Sequence, residues 1–305
     1  MIKVAITSPW QGQDSEYFSE VWRKHTPNNS GVWKNICFHN NPYDADWIIG
    51  WETLDPQLNL ESVDKSKIIL LGREPPWMLP PQYDNWNSFT GIKYKFKHAL
   101  NNSYLVSNWS SNISYDDMKK VDWEPRDKSV CVITTDKNWC SGHKARLNFI
   151  REFCHKYPHK LDIYGNGMKD WCNNNGLGDH YKGCSVYRDD TAKHDWLSQY
   201  NYCLALENGQ LNGLFTEKFN DPIMALTKPI YWGAQDLFKF FPKNSFTHLD
   251  INSEKSCEDL LNLIKKPITE KDIAAMKKSR MLIMDFYAVL PSIKRIIETG
   301  KILPF

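Results

Sequence analysis

Tyr202-Cys203-Leu204-Ala205-Leu206-Glu207-Asn208-Gly209-Gln210-Leu211-Asn212-Gly213-Leu214-Phe215-Thr216-Glu217-Lys218-Phe219-Asn220-Asp221-Pro222 is the stretch on which the fold turns. Its opening run, Tyr202 to Leu206, has the length and continuous apolar character of a strand buried on both faces. The run ends in carboxylate and amide side chains, a glycine-bearing loop follows, and Thr216-Glu217-Lys218 leads toward a helix. Asp221 as N-cap with Pro222 at the first helical position is the expected helix start, which leaves Lys218 in the preceding loop. A lysine beside free helix N–H groups can hold a diphosphate; it can equally be half of a solvated Glu–Lys pair. Strand, polar loop and helix in that order make one βα unit of a parallel sheet.

The same alternation recurs outward in both directions. Strands are expected at 3–7, 47–49, 68–71, 130–134, 160–164, 202–206 and 229–232. They fall into two groups separated by Val121-Asp122-Trp123-Glu124-Pro125-Arg126-Asp127-Lys128, a polar, proline-containing stretch that reads as an interdomain linker. The chain is therefore expected to be α/β, with one Rossmann-like half over 1–124 and another over 125–305. Ile268 to Thr299 reads as C-terminal helices interrupted at Pro291. Two such halves imply a cleft between domains, with ligands near strand carboxyl ends.

A length of 305 residues accommodates two domains with their own cores. Lys plus Arg is 38 and Asp plus Glu is 36, and a net charge of +2 is too small to bind nucleic acid or anionic membrane through a bulk field. Any anion site must be local. No stretch approaches the ~18 apolar residues of a membrane span, and the first apolar run is too short for a signal peptide. Eight cysteines occur without a Cys-x-x-Cys pair, so reduced thiols are the expectation. The aromatic content, 13 Trp, 14 Tyr and 14 Phe, is high enough to serve both cores and sugar faces.

Two motifs carry little. Asp44-Ala45-Asp46 could share a hard cation, but it runs straight into an apolar strand and reads better as a turn. Tyr164-Gly165-Asn166-Gly167 lacks the third glycine of a dinucleotide fingerprint and the Lys-Ser/Thr of a P-loop, so it reads as a strand-end turn. There is no His-x-x-x-His and no Gly-x-Ser-x-Gly elbow, which leaves metal and serine hydrolysis without support.

Glu207-Asn208, Phe215-Thr216-Glu217-Lys218, Lys228-Pro229-Ile230-Tyr231-Trp232-Gly233 and Phe241-Pro242-Lys243-Asn244-Ser245-Phe246 together resemble, in order and spacing, the sugar-nucleotide signature of the α1,3/4-fucosyltransferases, glycosyltransferase family 10. The resemblance runs from about Lys193 to Ile264. Weaker similarity covers Gly142-His143-Lys144-Ala145-Arg146-Leu147-Asn148-Phe149 and Leu71-Gly72-Arg73-Glu74-Pro75-Pro76. It implies a GT-B architecture, two Rossmann-like domains facing across a cleft, with acceptor recognition in the first and the nucleotide sugar held by the second. It implies an inverting glycosyltransferase with no metal and no cofactor beyond the nucleotide-sugar co-substrate, moving L-fucose from GDP-fucose to a hydroxyl of a glycan acceptor. Glu74 is then the candidate catalytic base. Arg146 and Lys218 would neutralise the departing diphosphate, the first as a two-pronged fork and the second as a point charge. Asn208 and Glu217 would bind sugar or ribose hydroxyls.

Departures bear on the identity of the sugar nucleotide. Leu214 stands where the family usually has Tyr, and Pro222 where it often has Ala. Another nucleotide sugar such as UDP-xylose, or a non-catalytic glycan- or nucleotide-binding protein on the same fold, remain as alternatives. The resemblance to bacterial and viral members, whose chains start close to the first strand, implies a cytoplasmic protein; four Asn-x-Ser triplets leave a Golgi lumen as the other possibility. Trp77, Trp86, Trp109 and Trp123 fall in the first half, where stacking on an acceptor competes with core packing.

Overall fold

A computed structural model describes residues 1–73, 75–78, 82, 88, 90–91, 98–100, 105–184 and 192–303. Two compact units divide the chain: Met1–Asn108, Ser114–Lys119 and Met284–Phe305 form the first, Trp109–Ile113 and Lys120–Ile283 the second.

The first unit is built on β1 (Ile2–Thr7), β2 (Val32–Trp33), β3 (Ile36–Phe38), β4 (Trp47–Trp51), β5 (Ile68–Leu71) and β6 (His98–Leu100), with helices α1 (Ser15–Arg23) and α2 (Tyr115–Lys120). The sheet order is β2-β3-β1-β4-β5-β6, parallel except for the β2–β3 pair. β5 is buried at all four positions, as an apolar Ile-Ile-Leu-Leu run requires. Phe18, Trp22 and Trp51 pack ring against ring beside Val4, Ile6, Ile49 and Ile69. Asp44 and Asp46 do not converge. Asp44 accepts from the Asn41 amide and Asp46 from the backbone of Lys3, so the pair closes a turn onto the sheet.

At the carboxyl end of β4, Glu52 is buried with a left-handed φ of 72°. Its N–H donates to Leu71 O at 2.9 Å, and its carboxylate accepts the Arg73 N–H at 2.8 Å. The Arg73 guanidinium lies over the Trp51 ring, 4.4 Å from its centre.

The second unit contains β7 (Lys128–Ile133), α3 (Ser141–Lys156), β8 (Asp162–Tyr164), α4 (Met168–Asn174), β9 (Tyr181–Gly183), α5 (Ala192–Leu197), β10 (Tyr200–Leu206), α6 (Glu217–Met224), β11 (Lys228–Trp232), β12 (Thr247–His248), α7 (Ser256–Leu263) and α8 (Glu270–Leu282). Its sheet, β12-β11-β10-β7-β8-β9, is parallel throughout. Successive strands run outward from β7 to β9, then return to the other side of β7 and run outward again from β10. The order therefore reverses between β7 and β10, and such a reversal opens a crevice at the strand carboxyl ends.

The stretch 121–128, expected as a linker, is fastened to the second unit. Arg126 donates to Tyr200 O and Thr227 Oγ1, both at 2.6 Å, and to Ala225 O at 2.7 Å. Arg280 bonds Val121 O and Lys277 pairs with Asp122. The chain's last helix, α9 (Val289–Thr299), returns to the first unit, so the second half is not continuous from 125 to 305. The reason is its apolar stripe: Val289, Leu290, Ile293 and Ile296 join the core of Val4, Ile6, Ile49 and Ile69. All eight cysteines are free thiols.

Candidate functional site

Four of the five residues singled out in the sequence meet at the β7–β10 reversal. β7 ends at Ile133, and Thr135 together with the first turns of α3 faces Asn208, which follows β10. Arg146 is 2% exposed, and its Nη1 donates to Asn208 Oδ1 at 2.8 Å while Nη2 reaches Thr135 Oγ1 at 3.2 Å. Its Nε has no hydrogen-bond partner among the described residues. The start of α3 is seated directly on the strand end: a Cβ on Gly142 would stand 2.0 Å from Asn208 O, so only glycine permits this approach. Cys140, the N-cap, makes no side-chain capping bond to the helix; its Sγ donates to Asn208 O at 3.4 Å. The first-turn N–H groups of α3 thus carry the positive end of the helix dipole to Arg146 and Asn208.

The second arm corrects the expected helix start. α6 begins at Glu217, with Thr216 as N-cap accepting from the Lys218 N–H, and Pro222 lies inside the helix. Lys218 is in the first turn rather than in a loop. Pro222 is tolerated there at the loss of one helix bond, the one its absent N–H would have made to Lys218 O. Asp221 is not a cap. Fully buried, it accepts from Ser110 N at 2.7 Å and Ser110 Oγ at 2.5 Å and pairs with Lys193 Nζ.

Glu207, between the two arms, escaped the sequence reading as a site residue. It is 1% exposed; Oε1 accepts from Thr216 N at 2.9 Å and Oε2 from the Thr216 hydroxyl at 2.8 Å. Its own N–H donates to Trp232 O at 2.9 Å. Gly233 leaves room for it, since a Cβ there would lie 2.7 Å from Glu207 Cγ. Behind this arm Phe219 packs against Tyr231, Phe241 and Phe246. The aromatic residues of the signature motifs are therefore core, fixing the place where α6 begins.

Charge is concentrated here. Lys218 Nζ pairs with Glu217 at 2.8 Å and lies 3.5 Å from Thr216 Oγ1. Burial works against the Lys218 ammonium, but Glu217 and then Glu207 outweigh it and raise its pKa. Burial also opposes the Glu217 carboxylate, and Lys218 with Lys193 overrides it, holding Glu217 well below the usual range. Burial pushes Glu207 up to about 7, with Lys218 pulling the other way. Burial lowers Arg146, with Cys140, Glu207 and Glu217 opposing. Neighbouring His143 is pushed down to about 4, mainly by burial and then by Arg146, so it is neutral near pH 7.

Glu74 lies outside the described residues, as does Trp86. Trp109 is buried, its indole N–H bonding Ile113 O, whereas Trp77 is exposed and Trp123 half-buried. Leu214 is buried, its carbonyl accepting from the Tyr231 hydroxyl at 2.9 Å.

Residues 123–272 match the family model "Glycosyltransferase family 10 (fucosyltransferase) C-term". This span is a glycosyltransferase family 10 domain. Arg146, Asn208, Glu217 and Lys218 all fall inside the matched span. An α-(1,3)-fucosyltransferase of Helicobacter pylori is 36% identical over 80 residues, which are 26% of this chain and 16% of that protein. The Gallus gallus GDP-fucose protein O-fucosyltransferase 3 is 30% identical over 117 residues, 36% of this chain and 23% of that protein. The matched stretches thus span less than a quarter of either relative. The fold is GT-B. The crystal structure of Anabaena HepE in complex with UDP-glucose superimposes with a TM-score of 0.53 at 9% identity, over 99% of this chain and 100% of that one. Among the described residues no helix is long and apolar enough to cross a membrane, and no three His, Cys, Asp or Glu side chains group as metal ligands.

Proposed function

We propose that this family 10 chain is an inverting glycosyltransferase that moves L-fucose from GDP-fucose to an acceptor hydroxyl. The observation that carries the reading is the convergence of the Arg146 guanidinium and the Lys218 ammonium at the β7–β10 reversal, each on a helix that begins there. A leaving nucleoside diphosphate gains negative charge as the glycosidic bond breaks, and fixed cations with helix N–H groups stabilise that charge without reorganising. Arg146 still has its Nε–H to give to a phosphate oxygen. Two protein cations take the part a metal plays in other transferases, so turnover is expected to withstand chelation. Glu217, kept ionised beside Lys218, would bind sugar or ribose hydroxyls and favour positive character at the anomeric carbon; Asn208, oriented by Arg146, would do the same for hydroxyls alone. Glu74 is carried as the base by its sequence position after β5. A carboxylate there would take the acceptor proton as the hydroxyl attacks opposite the leaving diphosphate.

The buried Leu214, in place of the family's tyrosine, supplies neither an aromatic face nor a hydroxyl to the nucleotide and favours a second reading with another nucleotide such as UDP-xylose. The acceptor proposed is a glycan hydroxyl; a protein hydroxyl is the second candidate, because one relative is named as a protein O-fucosyltransferase. Thermal melts and turnover with GDP-fucose, GDP-mannose and UDP-xylose, with and without EDTA, decide the matter. The true co-substrate raises the melting temperature with the logarithm of its concentration once that exceeds its dissociation constant. If no nucleotide sugar is turned over and Glu74→Gln behaves as wild type, the enzyme reading fails and a binding protein remains.

A further inference from the structure

We propose that Glu207 is a positioning residue: its buried carboxylate fixes the Thr216 cap and, through the Thr216 hydroxyl, the place of the Lys218 ammonium. Above pH 7, where Glu207 is ionised, the hydrogen bonds leave little choice of direction. An ionised carboxylate only accepts, so the Thr216 N–H and O–H both point at Glu207. With its proton committed, the hydroxyl offers its lone pairs to Lys218, whose backbone N–H lies at 3.3 Å and Nζ at 3.5 Å. Glu207 is held in turn by its N–H to Trp232 O and by the space at Gly233. The charged and titratable groups around it come from three elements: Glu217 and Lys218 on α6, Arg146 on α3 and Tyr231 on β11. Nothing requires Glu207 to touch the nucleotide sugar; it acts through Thr216 and Lys218.

Glutamine is the discriminating replacement, because it keeps shape while reversing one bond. Its oxygen still accepts the Thr216 N–H, but its amide donates to the Thr216 hydroxyl and competes with Lys218 for those lone pairs. The rate readout rests on the proposed function; a second readout does not. Glu207→Gln, Thr216→Val and Thr216→Ser are compared with wild type by steady-state kinetics with GDP-fucose, by thermal melting, and by the rate of Lys218 acylation followed by mass spectrometry across pH 7–10. Glu207→Gln should melt no lower than wild type at pH 7.5, since a buried carboxylate has been neutralised. It should nevertheless lose about 10-fold in kcat with a smaller change in KM, the scale of one displaced hydrogen bond. Lys218 should acylate several-fold faster, having lost a neighbouring negative charge. Thr216→Val should reproduce the kcat loss and Thr216→Ser should restore it. Wild-type kcat together with unchanged acylation in Glu207→Gln overturns the inference and leaves the transferase reading intact. Should wild type turn over no nucleotide sugar, the transferase reading falls and the acylation rates alone decide for or against Glu207. If Glu207→Gln does not fold, Thr216→Val, which keeps the carboxylate and the backbone bond, carries the same test.

Discussion

Each sheet ends one of its central strands in a buried glutamate, Glu52 after β4 and Glu207 after β10. In both, the glutamate N–H donates to the last carbonyl of the next strand, Leu71 O or Trp232 O, at 2.9 Å. Both carboxylates accept a backbone N–H from a loop, that of Arg73 or of Thr216. The backbone solution is shared; the surroundings are not. Glu52 adopts a left-handed φ beside an arginine resting on Trp51, whereas Glu207 sits among Lys218, Glu217 and Arg146 and also takes a hydroxyl. A glutamate at a parallel strand's end is thus a general way to pin a loop. What the pinned loop contributes decides whether charge chemistry follows.

The contrast breaks most visibly if the second region is not held by buried charge. Asp221→Ala strands Lys193 and the Ser110 N–H in the interior and should cost about 3–5 kcal/mol in urea unfolding at pH 7; a loss below about 1 kcal/mol would remove that premise. Lys218→Ala and Arg146→Ala should each lower kcat by about 100-fold, the scale of losing one preorganised charge stabiliser, and near-normal turnover in a folded variant would take both out of the site. A pH series sharpens the comparison further. Because Glu207 is raised to about 7 in the folded chain, its contribution to stability is greatest below its ordinary carboxylate value and is lost as pH rises through 7. Between pH 5 and 7 the loss is on the order of 2 kcal/mol for a shift of this size, and Glu207→Gln should flatten that slope in denaturant melts. Glu217 works in the opposite sense, its stabilisation being lost only as pH falls below the usual carboxylate range. Smallest is Glu52→Gln, which makes the charge-assisted bond from the Arg73 N–H neutral and should cost about 1 kcal/mol; a loss above about 3 kcal/mol would show Glu52 to be held by charge as strongly as Glu207 and erase the difference.

The long apolar strands were legible because burial on both faces leaves an uninterrupted hydrophobic run: 68–71 was read as observed, and the expected 202–206 and 229–232 differ from the observed strands by one or two residues at the start. β2, β3, β6, β9 and β12 were missed, being two or three residues long and defined by neighbours rather than by pattern. At the candidate site, Arg146, Asn208, Glu217 and Lys218 were singled out through motif resemblance, and the fold brings them together. Thr216 as a cap was passed over because Asp221-Pro222 is the stronger local signal. What decides against it is remote: Asp221 is claimed by Ser110, 111 residues away in the chain, and by Lys193, while Thr216 is claimed by Glu207. Glu207 itself reads as an ordinary polar strand end until the fold supplies its partners. The aromatic surplus, which suggested sugar stacking, is largely spent on cores around Trp22 and Phe219.

Because α9 belongs to the first unit, the second unit is inserted within the first as far as chain order is concerned. During synthesis the strands of the first sheet emerge early, yet the stripe of Val289, Leu290, Ile293 and Ile296 that completes their core emerges only after the whole of 120–283. The inserted unit, Trp109–Ile113 with Lys120–Ile283, is fully synthesised while Val4, Ile6, Ile49 and Ile69 still lack their cover, and exposed apolar strands of that kind are what chaperones bind and what aggregates. A chain halted once residue 283 has cleared the ribosome would therefore carry a complete second unit beside a first unit whose core stays uncovered until Val289–Thr299 emerges.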